Sequence, residues 1–511
     1  MNPETASSSS GEKDASYQQI LKSSAIIGGA NGLNYLVGII RTKMIAILLG
    51  PSGVGLVDLY LSATAAISTF SGLGIVSSGV REIAEANGGE DRNEIAATAK
   101  TLRRICWLSG LTGWAISAAL SIPLSKWIMG SGNHAWAIAI LGSTVFLGII
   151  SGGQNALLEG IRRIGDIARV QVIAMLLNTA ITLGFYAWLR DKGIVPVLVF
   201  TAAVNLSVSW YFVRRVKPEE IKQSWKETFH RSKRLISLGL AFMWSSLLTA
   251  LVTLGVRVMI SRELGLEANG IYQSAWSISG MFAGFILSAM GTDFYPRLTG
   301  ISSDHREVNR LVNEQTEIGV LLALPGILGT MTFAPWLMHL LYSPKFLQGA
   351  PLLPWFLMGI FGQVVSWPLA YILIAKGEKG WFAASETIAN ILKFILAASL
   401  LIGMGLIGTS IAYPILYLIY TIGMLVITRH LTGFRWNRQV GHLLGIAGIL
   451  IVLGFCAARF LPEIPALIAG ATLSSIAGVF SLRGLASRIG TEHRLIRAFL
   501  KIPGGRFLLP S

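Results

Sequence analysis

Residues 20–49 read ILKSSAIIGGANGLNYLVGIIRTKMIAILL, and GPSGVGLVDL follows at residues 50–59. The first run is longer than the ~20 mostly apolar residues that cross a bilayer as helix, so it is read as a membrane segment. No basic region precedes it in the manner of a cleavable signal, so it is expected to be retained. Arg41 and Lys43 interrupt it. A cation at membrane depth is costly, and it either faces a protein interior or wet cavity or snorkels to the interface. Asn31, Asn34, Gly38 and Arg41 are spaced by 3, 4 and 3 residues, which puts them on one helical face. Lipid cannot satisfy the hydrogen bonds of that face, so it should look inward.

The rest of the chain has the same character. Of its 511 residues, 53% are hydrophobic and 13% charged, about half the charged share of a soluble domain. Mean hydropathy is +0.61. Apolar stretches recur to the C-terminal region, and we read fourteen spans, which makes this an all-α polytopic membrane protein. With both termini placed in the cytoplasm, 32 of the 42 Lys and Arg residues fall in inner segments and 6 in outer loops, as the positive-inside rule requires. The net charge of +16 then reflects topology and attraction to anionic membrane lipids rather than nucleic-acid binding.

The chain contains an internal repeat. Arg41, Gly50, Gly55 and Arg81 correspond to Arg257, Gly265, Gly270 and Arg297 at offsets of 216, 215, 215 and 216. Each half reads as a helix carrying Arg, a Gly-containing outer turn, and a second helix ending in Arg. Six spans separate the units, so the repeat is parallel, and a substrate cavity is expected between two six-helix lobes. The divisions that follow are a disordered tail at 1–16, an N-lobe at 17–216, a cytoplasmic linker at 217–234 and a C-lobe at 235–430. Two added helices at 431–482 and a basic cytoplasmic tail at 483–511 complete the chain. The polar stretches 81–104 and 214–234 are suited to amphipathic helices at the inner face.

Paired cations at matching places suggest a cavity that receives an anion, so Arg41 and Arg257 lead the candidate binding residues, with Asn31 and Asn34. Thr253 joins them from the seventh span, where Ser246, Thr249, Thr253 and Arg257 share a face. Asp58 lies early in the second span, with Gln273 at the repeat-equivalent position. Two roles fit Asp58, an ion pair with Arg41 or an ion-coupling carboxylate. Glu386, Asn390 and Lys393 line up on the eleventh span, and Glu386 is a possible partner of Lys393. Tyr413, Tyr417 and Tyr420 form a stripe suited either to sugar stacking or to an ordinary interface. There is no phosphate-binding glycine loop and no histidine pair at metal-ligand spacing. Cys106 and Cys456, both at or within spans, do not suggest a disulfide. We therefore expect neither an enzyme nor a cofactor.

Several segments resemble the bacterial O-antigen and enterobacterial-common-antigen flippases. These are LGPSGVGLVDL at 49–59, GLGIVSSGVREIAE at 72–85 and DFYPRL at 293–298. A fourth group comprises SPKF at 343–346, PLLPWFLMGIFGQVV at 351–365 and PLAYILIAKGEKGWFAASE at 368–386. The resemblance implies the multidrug/oligosaccharidyl-lipid/polysaccharide exporter fold, with two pseudo-symmetric six-helix lobes and two C-terminal helices. It implies transport of undecaprenyl-pyrophosphate-linked oligosaccharide to the periplasmic leaflet of the inner membrane, beside polysaccharide polymerase and chain-length regulator proteins. A first-helix arginine of the related lipid II flippases matches Arg41, whereas the family often carries a carboxylate near the position of Arg257. The alternatives are a cation-coupled multidrug antiporter, for which buried carboxylates are few here, and a membrane polysaccharide polymerase or ligase, for which the outer loops are short.

Overall fold

The computed structural model describes residues 4–89, 92–216 and 221–489; the side chains of 4–28, 30–31, 238, 241–242, 282–283, 285–293 and 489 are outside that description. Among the described residues every regular element is helical. Two compact units divide the chain, one of residues 1–258 and one of residues 259–511.

The first unit contains α1 (Glu4–Gly72), α2 (Ile75–Gly88), α3 (Arg92–Ala119), α4 (Ser121–Met129), α5 (Ala135–Gly160), α6 (Ile164–Leu189) and α7 (Ile194–Val213). The helix α8 (Trp225–Gly300) begins in this unit and continues into the second. There it is followed by α9 (His305–Thr332), α10 (Ala334–Leu341), α11 (Leu353–Ala375), α12 (Lys379–Met404), α13 (Leu406–Thr432), α14 (Arg438–Phe460) and α15 (Glu463–Ile489). Of the stretches expected at the inner face, 81–88 and 92–104 are helical, in α2 and α3, and 225–234 is the start of α8, whereas 221–224 is not helical. The basic tail lies almost wholly beyond residue 489, outside the described residues.

Among the described residues, nine helical stretches are long and apolar enough to cross a membrane, or eleven when the bent pairs α3/α4 (64°) and α9/α10 (79°) each count as one. The difference from fourteen lies in three stretches of 41, 50 and 39 residues, at 32–72, 164–213 and 243–281. At ~1.5 Å per residue each is far longer than one crossing of ~30 Å, and each is interrupted inside. A 3₁₀ turn at Arg190–Gly193 separates α6 from α7. The other two breaks fall at the repeated glycines. Gly50 has φ 67° and ψ −175°, and Gly265 has φ 90° and ψ 169°.

That region of backbone space is essentially reserved for glycine. Pro51 strengthens the first break, because the residue before a proline is driven from the helical region and proline is suited to the first helical position after it. Replacing Gly50 or Gly265 by Ala should therefore cost about 1–3 kcal/mol each through strain alone, since an added Cβ would meet nothing within 4 Å. Thermal unfolding in detergent would read this as a lowered midpoint, and an unchanged midpoint for both variants would show that the breaks tolerate a side chain.

Within the first unit α5 is central and packs on α3, α7, α2 and α1, while α6 packs on α1 and α7. Small residues allow the close approach of α3 and α5, as expected of membrane helices. A Cβ on Gly153 would lie 2.6 Å from Cys106 Sγ. The buried cluster around Ile75, Ile83, Leu102, Ile105, Val145 and Ile149 results. In the second unit α13 packs on α11 and α12, and α9 packs on α11, α14 and α15. Two of its helix starts are capped by side chains: Asp304 accepts from the Arg306 and Glu307 amides at α9, and Asn437 accepts from the Val440 amide at α14.

Candidate functional site

Past the Gly50 break, Asp58 and Ser62 stand one turn apart on α1, so they share a face. Arg257 of α8 meets both within the first unit. Its Nε lies 2.6 Å from Asp58 Oδ2, and its Nη1 donates to Ser62 Oγ at 2.9 Å. Ser62 Oγ in turn donates to the Asp58 carbonyl at 2.7 Å. All three residues are buried, Arg257 at 9% exposure and Asp58 at 5%. The partner of Asp58 is thus Arg257, where the sequence had offered Arg41. The pairing is reasonable energetically, because each charge would be expensive alone in this setting and the second offsets the first.

Arg41 is placed differently. It is half-buried on the first arm of α1 and lines a cavity of about 750 Å³ formed by α1, α5, α6 and α7. Asn34 lines the same cavity, so the inward-facing stripe expected from its spacing is present at both residues. The side chain of Asn31 lies outside the described residues. Among the described residues Arg41 is the single charged one lining the cavity, and the remainder of the described polar lining is neutral. Among the described residues Arg41 has no ion-pair or hydrogen-bond partner.

The neutral lining falls into short helical repeats. Ser151 and Asn155 are four apart on α5, Gln171 and Asn178 seven apart on α6, and Thr201 and Asn205 four apart on α7. Each pair shares a helix face. Asn178 Nδ2 donates to Asn205 Oδ1 at 2.9 Å, and Ser209 of α7 bonds Ser151 and Gln154 of α5 behind the wall. Sequence reasoning missed these amides. It weighed charges and repeated positions, although an amide inside an apolar span was itself a signal.

The remaining candidates are dispersed. Thr253 is half-buried, one turn before Arg257 on α8. In the second unit Gln273 Nε2 donates to Ser277 Oγ at 3.1 Å. Lys393 Nζ lies 5.6 Å from the centroid of the Trp276 ring, within reach of a cation–π attraction. Glu386 Oε1 accepts from Tyr420 Oη at 3.2 Å. The tyrosine stripe is packed rather than open: Tyr413 meets Tyr417 edge to face at 5.0 Å, and Tyr417 meets Tyr420 at 6.1 Å. Tyr413 Oη also donates to Gln363 at 3.1 Å. Tyr413 is buried in the contact between α11 and α13, and Tyr420 joins α13 to α12, so these rings serve helix contact, with Tyr417 and Tyr420 half-buried.

At the polar end of the first unit, Arg234 reaches Glu82 at 2.8 Å and Glu85 at 2.6 Å, and Arg231 reaches Glu94. Burial pushes the Glu82 carboxyl up, opposed by Arg234. The bond from Arg81 leads in holding Glu85 down.

Comparison with known proteins adds to this geometry. A family profile described as "Polysaccharide biosynthesis protein" matches residues 20–302. The Lipid III flippases of Escherichia coli (strain K12) and Shigella flexneri are each 23% identical over 406 residues, covering 75% of this chain and 92% of theirs. Among solved structures, the Lipid II flippase MurJ in an inward closed conformation aligns with a TM-score of 0.68 at 14% identity, covering 90% of this chain and 99% of that one. An inward-facing multidrug resistance MATE family transporter of the MOP superfamily aligns at 0.67 and 16% identity, covering 81% and 96%. At such identities the structural likeness establishes the fold.

Proposed function

The chain belongs to the polysaccharide biosynthesis protein family, and on that premise we propose that it is a flippase. Its substrate would be an undecaprenyl-pyrophosphate-linked oligosaccharide, moved from the cytoplasmic to the periplasmic leaflet of the inner membrane by alternating access. The observation that carries this reading is Arg41, which among the described residues is the one cation on a large cavity with a neutral lining. The relatives named Lipid III flippase support the same substrate class. No covalent step is needed, and the chain acts as a translocase rather than an enzyme.

The pyrophosphate is the group that Arg41 suits. Unit charges at ~4 Å attract by about 4 kcal/mol at an effective dielectric near 20, enough to favour entry of the anionic head. A cavity of about 750 Å³ lies in the range of ~300–1,000 Å³ usual for ligand sites. Arg257 is held by Asp58 and Ser62, so it would meet the pyrophosphate only in a state where Asp58 releases it. Asn31, Thr253, Gln273 and Lys393 remain proposed contacts along the path. Both termini are proposed to face the cytoplasm, with basic inner segments near anionic lipid. Polymerase and chain-length regulator proteins are proposed neighbours. The antiporter reading is weakened because a carboxylate for a cationic drug is needed, and Asp58 is already neutralised by Arg257.

Purified protein in proteoliposomes should move undecaprenyl-pyrophosphate-linked oligosaccharide between leaflets, read by accessibility of the sugar to an external lectin. Protein-free liposomes should not. Equal movement in the two preparations would overturn the flippase reading.

A further inference from the structure

We propose that the neutral amides of the Arg41 cavity form a saccharide-reading wall, specific for uncharged, hydroxyl-rich sugars. The inference rests on the flippase reading and adds which part of the site reads the glycan. Four side chains carry it, Asn155 of α5, Gln171 and Asn178 of α6, and Asn205 of α7. Amides at membrane depth are costly unless their hydrogen bonds are met, and three different helices converge here to supply them.

The Asn178–Asn205 pair shows what the wall offers. One amide N–H of Asn178 is committed to Asn205 Oδ1 at 2.9 Å. Each amide has two N–H donors and an oxygen with two lone pairs. The pair therefore retains the donors of Asn205 and the acceptor of Asn178, and Asn178 Oδ1 is a buried atom with no hydrogen-bond partner among the described residues. Adjacent sugar hydroxyls, each both donor and acceptor, are the complement of such a pair. The bond between the two amides also fixes their planes, which limits the ordering needed on binding.

The neutral character of the described lining decides the sugar class. Among the described residues Arg41 is the one charged residue of the lining, and the pyrophosphate engages it. A uronate on the sugars facing the wall would meet neutral amides and, among the described residues, no second cation, and would compete with the pyrophosphate for Arg41. Neutral hexoses and N-acetylated sugars meet the wall without that conflict.

The test uses full-length protein and two readouts. Asn178→Leu, Asn205→Leu and the double variant are compared with wild type, with Asn205→Gln as a conservative control and thermal unfolding as a check on folding. Binding is followed by tryptophan fluorescence, and flipping in proteoliposomes. The probes are undecaprenyl pyrophosphate alone, the same lipid bearing a neutral trisaccharide, and the same lipid bearing a uronate-containing trisaccharide. The double variant should lose at least about tenfold in binding the neutral glycolipid, as polar sites do when a hydroxyl partner is lost, while binding of the bare lipid is unchanged. Asn205→Gln should retain part of the affinity, and wild type should favour the neutral over the uronate glycolipid.

Unchanged binding of the neutral glycolipid by the folded Leu variants would overturn the wall, and so would equal loss of the bare lipid. A uronate glycolipid bound as tightly as the neutral one would overturn the sugar class. Should wild type bind the glycolipid through these amides yet fail to flip it, the wall stands and the flippase reading falls.

Discussion

Arg41→Ala should lower flipping of the lipid-linked oligosaccharide by at least about tenfold, the ratio that ~1.4 kcal/mol sets, while the protein remains folded. The side chain is half-buried and, among the described residues, is the single charged one lining the cavity. Its removal takes away the attraction for the pyrophosphate without breaking an ion pair, because among the described residues Arg41 has none. The effect is therefore expected on transport and binding rather than on stability. Arg41→Lys keeps the charge but not the planar fork that matches phosphate oxygens, so it should keep part of the activity. Proteoliposome flipping measures the first effect and thermal unfolding the second. An alanine variant as active as wild type would leave Arg41 a snorkelling residue, and a variant that unfolds would make it structural.

The second large effect concerns stability. Asp58→Asn leaves the Arg257 guanidinium buried opposite a neutral amide. Removing one member of a buried pair costs about 3–5 kcal/mol, chiefly the penalty of the charge left behind. Replacing both, as Asp58→Leu with Arg257→Met, should recover most of that loss, since apolar groups of similar volume often match a buried pair in stability. The same comparison separates stability from transport. A stable but inactive double variant would give the pair a role in transport, and a stable, active one would reduce it to a structural clamp. Single and double variants equally unstable in detergent would show that the two residues are not coupled.

These two arginines also show how far the sequence reaches. Their shared offset identified the repeat, and the helix breaks at Gly50 and Gly265 follow from it, because both glycines adopt backbone conformations that other residues avoid. Their chemical surroundings are nevertheless unlike. Arg257 is buried against Asp58 and Ser62, and Arg41 faces a cavity. The likeness lay in the local chain, which a repeat preserves. The difference lies in neighbours from other helices, which it need not preserve.

Composition, apolar length and charge asymmetry determined by themselves that this is a helical membrane protein, and helical spacing put Asn34 and Arg41 on one inward face. Those properties are local, since they depend on residues within a few turns of one another. Tertiary structure decided that Asp58 takes Arg257, that the tyrosine stripe is packed, and that amides from α5, α6 and α7 meet in one cavity. Such contacts join residues far apart in the chain, and helix packing, rather than periodicity, brings them together.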